Sequence, residues 1–167
     1  MKKAMENILN ALSLSVITYD NSNANTRATY DAVKDGISRT ALSIVLLTGD
    51  DEGRCRKAFR TQNDKNVIHE MRYTRQPRLN VVFEAGYSFA YRENKNVILI
   101  TVDGVRLFSD LDGINKILIQ TDRGNISSES NIKFKQELVK NLTNCGCDLA
   151  DNAIDIISGI PLPNNLQ

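Results

Sequence analysis

Two short apolar runs, Ala41-Leu-Ser-Ile-Val-Leu-Leu-Thr48 and Val97-Ile-Leu-Ile-Thr-Val102, constrain this chain more than any other feature. Both are too short for buried helices and lack the polar alternation of a one-sided strand, so each reads as a strand covered on both faces. Strands of that kind belong to parallel sheets, whose neighbours are joined by helical crossovers. A third run near 116–120 extends the pattern. Helical periodicity fills much of the intervening chain. Residues 4–12 predict a helix. A second runs to about Arg39, with Tyr30, Val33, Ile37 and Ala41 in phase, and a third covers about Asn80 to Glu93. A fourth covers 130–144, with Ile132, Lys135, Leu138, Val139 and Leu142 in phase, and stops at Cys145-Gly146. Leu14-Ser-Val-Ile-Thr-Tyr19 adds a further expected strand, and Asp20–Asn25 a turn-rich loop. Alternating strands and helices define an α/β three-layer sandwich with a mostly parallel sheet. The tail from Ile160 reads as irregular, and residues 49–78 form a long charged segment with little periodicity.

The helix after Pro77 carries an unusual run, Arg78-Leu-Asn80-Val-Val-Phe-Glu84-Ala-Gly86-Tyr87, in which one acid stands among apolar residues. At about 100° per residue, Val82, Phe83, Gly86, Phe89 and Ala90 share one side, and Asn80, Glu84, Tyr87 and Tyr91 share the other. A carboxylate beside an amide and two phenols suits a nucleotide ribose; it equally suits a solvated helix face. Parallel sheets bind ligands beyond the carboxyl ends of their strands. The loops after Thr48 and Val102, together with the start of the Glu84 helix, therefore outline the expected cleft. Thr48, Asp50 and Asp51 lie there, although Asp-Asp-Glu-Gly is also good turn chemistry. Asn80 either orients Glu84 or the ribose, or caps the helix. Arg78 has the planar fork that matches a pyrophosphate, or is a surface cation. Tyr87 stacks on a ligand ring or packs on the helix surface.

Composition narrows the function classes. A net charge of +1 over 167 residues gives no electrostatic case for nucleic acid or an anionic membrane surface. No apolar run approaches the roughly 18 residues of a membrane span. Glu6, Asn7 and Asn10 break the apolar region that a signal peptide needs, so a cytoplasmic protein is expected. Three cysteines form no even disulfide set. The lone His69, expected on the surface, supports neither a zinc site nor a histidine-activated nucleophile.

Three blocks, in order and spacing, resemble the bacterial TIR-like predicted nucleotide-binding domain family: Leu47-Thr-Gly-Asp-Asp-Glu-Gly53, Arg78-Leu-Asn-Val-Val-Phe-Glu-Ala-Gly-Tyr87 and Ser109-Asp-Leu-Asp-Gly113. The resemblance spans roughly residues 5 to 150, leaving 151–167 as a C-terminal extension. It implies a flavodoxin-like fold, with a first central strand missing ahead of Met1 or supplied otherwise. It also implies that NAD+ is bound as a substrate, with no separate cofactor, and cleaved at the ribose–nicotinamide bond with Glu84 as the catalytic carboxylate. Further implications are self-association through the TIR-like domain, an antiphage effector role, and a sensor domain or chain elsewhere. Two other readings stay open at this point. One is a non-catalytic nucleotide-binding or signalling module, and the other a nucleoside deoxyribosyltransferase-like enzyme with Glu84 as nucleophile.

Overall fold

In a computed structural model, residues 1–18, 29–54, 73–93, 95–108, 111, 114 and 116–163 are described. The elements are α1 (Lys2–Ala11), α2 (Thr29–Ser38), β1 (Ser43–Leu47), β2 (Asp51–Gly53), β3 (Thr74–Gln76), α3 (Leu79–Tyr91), β4 (Val97–Val102), β5 (Lys116–Ile119), α4 (Ser128–Asn144) and α5 (Ala153–Ser158).

The two apolar runs become parallel neighbours. The sheet order is β1-β4-β5, with Ser43 opposite Val97 and Leu47 opposite Thr101 on one side of β4. On its other side Leu99 faces Lys116 and Val102 faces Ile119. β4 is apolar on both faces because both are covered. Ile98 and Ile100, with Ile117 and Ile119 of β5, pack under α1 (Met5, Ile8, Leu9) and its C-cap Leu12, α4 (Phe134, Leu138, Leu142) and α5 (Ala153, Ile157). On the opposite face Leu99, with Val45 and Leu47 of β1, packs under Ala85, Val81 and Phe89 of α3 and under Leu111. Helix, sheet and helix thus form three layers of the TIR/flavodoxin-like kind. Outside this sheet, β2 and β3 form a two-stranded antiparallel ladder, Asp51 opposite Gln76 and Gly53 opposite Thr74.

Helix ends follow local chemistry. Ser127 caps α4, its hydroxyl accepting from the Ser130 amide at 3.1 Å. Past the other end Gly146 adopts φ +82°, which returns the Cys147 amide to the Leu142 carbonyl at 3.0 Å. That left-handed turn favours glycine, as expected from the Cys145-Gly146 stop. Lys135 is the one buried cation among the described residues, and its Nζ donates to the Ser158 carbonyl at the end of α5 at 2.8 Å. Burial pushes its pKa down.

Three sequence expectations need correction. Residues 14–18 are not a strand, and Tyr19 lies outside the described residues. Leu14 and Val16 satisfy their alternation by packing against the α1 side of the core, which requires no ladder partner. On α3 the buried side is Val81, Ala85, Ser88 and Phe89, whereas Phe83 is 59% exposed and Gly86 and Ala90 face solvent. This helix is apolar nearly all round, so the clustering of apolar positions did not identify the face turned to the sheet. On α4, Ile132 is exposed and Phe134 occupies the core position.

One side chain fixes α3 to the sheet. The Arg92 guanidinium donates to the Ser43 hydroxyl (3.0 Å), to the carbonyls of Ala41 (2.9 Å), Ile37 (2.8 Å) and Thr40 (2.9 Å), and to the Thr40 hydroxyl (2.8 Å). It closes the orphan carbonyls after α2 and the start of β1 from the far end of α3. Arg92→Ala should lower unfolding free energy by about 3 kcal/mol in urea titrations, because several charge-assisted bonds are lost and their acceptors stranded. Arg92→Lys should recover less than half, since an ammonium cannot span the same fork.

Candidate functional site

The carboxyl ends of β1 and β4 open side by side, as parallel pairing requires. After β1 come Thr48, Gly49, Asp50 and Asp51; after β4 come Asp103, Gly104 and Val105. Thr48 is half-buried, while Asp50 and Asp51 are exposed. Pro77 is buried and starts the turn into α3, placing Arg78 beside the β1 loop. The Arg78 Nε lies 3.8 Å from Asp50 and 3.9 Å from Asp51. Sequence-separated candidates thus meet, but as a loose ion-pair triad with the Arg78 side chain 65% exposed. Pairs this long and this wet contribute little to stability.

Glu84 stands further along α3, at the boundary between its sheet-facing side and its exposed side. It is half-buried, and removal from water pushes its pKa above the ordinary 4.5. No hydrogen bond or ion pair holds its carboxylate among the described residues. A desolvated acid with no compensating partner is costly, and such groups cluster at functional sites. Tyr87, one turn on, is half-buried and has its ring centroid 5.8 Å from Tyr30 (edge-on) and 6.2 Å from Tyr91 (stacked). Tyr30 also lies 6.0 Å from Phe83, so an aromatic cluster lines the α2–α3 surface next to Glu84. Asn80 is exposed at the second position of α3; Arg78 holds the N-cap position, and no side chain bonds there. Of the two readings of Asn80, the capping one is therefore not met.

Sequence reasoning passed over three neighbours of the cleft. Arg75, in the middle of β3, reaches the strand ends: its Nη2 donates to the Asp103 carbonyl at 3.3 Å. The Asp103 carboxylate accepts from the Thr121 hydroxyl at 2.7 Å, tying the loops after β4 and β5 together. Gly49 and Gly104, each two residues past a strand end, were the available signal, since glycine is the residue that admits close approach of a neighbour. A Cβ on Gly49 would stand 2.8 Å from the Arg75 Cβ, and Gly104 has φ +72°. Of Ser109–Gly113 only Leu111 is described, and it is buried in the core. His69 and Cys55 lie outside the described residues. Among the described residues, no group of three His, Cys, Asp or Glu could hold a metal ion, and no helix is long and apolar enough to cross a membrane.

A parallel sheet covered on both faces, with polar loops at its carboxyl edge and a desolvated acid on the helix that starts there, defines an α/β domain of the TIR/flavodoxin-like class. The chain belongs to the family described as the TIR domain of CAP12/Pycsar effector proteins, which matches residues 1–121. The match runs from α1 through β5 and includes Glu84, Arg78 and the β1 loop. It makes this a TIR-like domain of an antiphage effector family. No curated protein matches the chain.

The desolvation of Glu84 has a measurable sign. Its folded pKa lies above 4.5, so the native state holds the proton more tightly and loses stability as pH rises through that range. Below pH 4.5 both states are protonated and the penalty disappears. Glu84→Gln should therefore raise the melting temperature at pH 7 by roughly 2–4 °C, with the gain vanishing below pH 4.5 in a series of thermal melts.

Proposed function

We infer that this domain cleaves NAD+ at the bond between ribose and nicotinamide, with Glu84 as the catalytic carboxylate. The observation that carries the reading is the state of Glu84: half-buried, desolvated and unpaired among the described residues, on the helix that starts at the cleft. Membership of an effector TIR family supports an active rather than a purely structural role.

The chemistry asks for one acid. The C–N bond breaks with its electron pair going to nicotinamide, which leaves as a neutral base because it departs from a pyridinium cation. No proton has to be delivered to the leaving group, unlike in ordinary glycoside hydrolysis. Positive charge grows at the anomeric carbon, and a carboxylate in a water-poor position stabilises it while accepting hydrogen bonds from the ribose hydroxyls. Water then donates its oxygen to that carbon and releases a proton to solvent, yielding ADP-ribose. The Tyr87–Tyr91–Tyr30 surface next to Glu84 offers aromatic faces to a planar ring. TIR-like domains of this family act in assemblies, on this reading, and a sensor segment or chain governs when the assembly forms.

Glu84→Gln should reduce nicotinamide release at least a thousandfold at unchanged far-UV circular dichroism, measured with concentrated protein and NAD+. Unaltered release in that variant would remove Glu84 from the mechanism. The acid limb of kcat/KM should fall above pH 4.5, where the desolvated carboxylate takes up its proton. Specific activity should climb steeply with protein concentration; proportional activity from high dilution would make the single chain sufficient. A sugar trapped on Glu84, or base exchange between deoxynucleosides, would assign transfer chemistry instead.

A further inference from the structure

We propose that the outward face of α3 is a self-association surface, on which a second copy of this chain packs its own α3 antiparallel about a two-fold axis. This gives a contact to the assembly in the reading above, yet it stands on the helix itself and not on NAD+ cleavage.

The helix is apolar on the side turned away from the sheet as well as on the side turned to it. Leu79, Phe83, Gly86 and Ala90 recur at i, i+4, i+7 and i+11, the spacing of a helix–helix seam, and all four are exposed. Leu79 is 74% exposed, and Tyr30 of α2, its ring 6.0 Å from that of Phe83, widens the stripe. A helix hydrophobic all round belongs in a buried setting. Gly86 sharpens the point. Glycine inside a helix costs stability relative to alanine and calls for a packing reason. A Cβ at Gly86 would nevertheless meet nothing within 4 Å among the described residues. Close approach by another molecule supplies the reason that this chain does not.

The stripe is complementary to itself. Its amino-terminal half is bulky, with Leu79 and Phe83, and its carboxyl-terminal half is small, with Gly86 and Ala90. A two-fold axis level with the Glu84–Ala85 peptide brings Leu79 opposite Ala90 of the second copy, and the same axis brings Phe83 opposite Gly86. Each large side chain meets a gap, which lets the helices close to the spacing of about 8–10 Å found in packed pairs. Charge agrees, because the stripe carries none and antiparallel helix dipoles attract. At about 200 Å2 for a large side chain, Leu79, Phe83 and Tyr30 leave roughly 350 Å2 of each copy open, so pairing buries about 700 Å2 from them. The lower end of specific interfaces, about 1,000 Å2, is reached only with the small residues and the rim. The contact is therefore weak and concentration-driven rather than permanent.

Sedimentation velocity of the full chain without substrate, across the micromolar range, tests this surface apart from NAD+ cleavage, so either reading can fail alone. Wild type should pass from monomer to dimer. Leu79→Glu and Ala90→Lys should each weaken association at least tenfold. Both positions are exposed, so melting temperatures should stay within about 2 °C of wild type. An equimolar mixture of the two variants should associate within about threefold of wild type, because opposite charges then face each other across the seam. Gly86→Leu should raise the melting temperature in dilute solution, since leucine favours helix, while weakening association at least tenfold. Association that the charged variants leave unaltered, or a loss that mixing does not repair, overturns the proposal. A wild type that stays monomeric throughout hands the stripe to a helix of another protein and overturns it equally.

Discussion

The guanidinium of Arg92 is the joint on which the rest of the domain depends. From the C-cap position of α3 it joins that helix to the carboxyl end of α2 and to the residues that lead into β1. Its three nitrogens make five contacts in one plane, three to the carbonyls of Ile37, Thr40 and Ala41 at and just past the end of α2 and two to hydroxyls. The direction of α3 relative to the sheet follows. Its far end is anchored there, its near end turns at the buried Pro77, and Val81, Ala85 and Phe89 are pressed onto β1 and β4 between them. The position of Glu84 is inherited from that arrangement, and no bond of its own to another described residue holds it.

That inheritance explains how a carboxylate persists in an unfavourable place. Nothing among the described residues compensates for its lost hydration, so the packing of the neighbouring helix face must hold it there. Proteins commonly surrender local stability where chemistry is done. The carboxyl end of the sheet carries two kinds of charge. The Asp50–Asp51–Arg78 triad is wet and loosely paired, while the Arg75 side chain is half-buried over Gly49 and Gly104 and donates to the Asp103 carbonyl.

How much of this could be read from the chain depended on length and periodicity. β1, β4 and β5 were legible because short, continuous apolar runs bounded by polar turns fit little besides buried strands, and α1, α3 and α4 because they run for several turns. The six-residue α5 and the three-residue β2 and β3 were not, since Asp-Glu-Gly and Thr-Arg-Gln carry no alternation to detect. In α3 existence was clear and orientation was not, because Phe83, Gly86 and Ala90 are as apolar as the residues that face the sheet. Glu84 stood out as the lone acid in that run. Arg75 and Arg92 did not, because an isolated cation in sequence looks like any solvated one until its carbonyl acceptors are placed around it.

The short β2–β3 ladder has an implication for how this architecture can diversify. Its two strands are joined by main-chain pairing at Asp51–Gln76 and Gly53–Thr74, and Arg75 bonds the ladder to the loop after β4. Because this pairing is made by main-chain groups, the side chains of Asp51, Glu52, Thr74 and Gln76 can be exchanged while the ladder keeps its register. The parallel strands beside it owe nothing to those side chains, so their own alignment would be untouched.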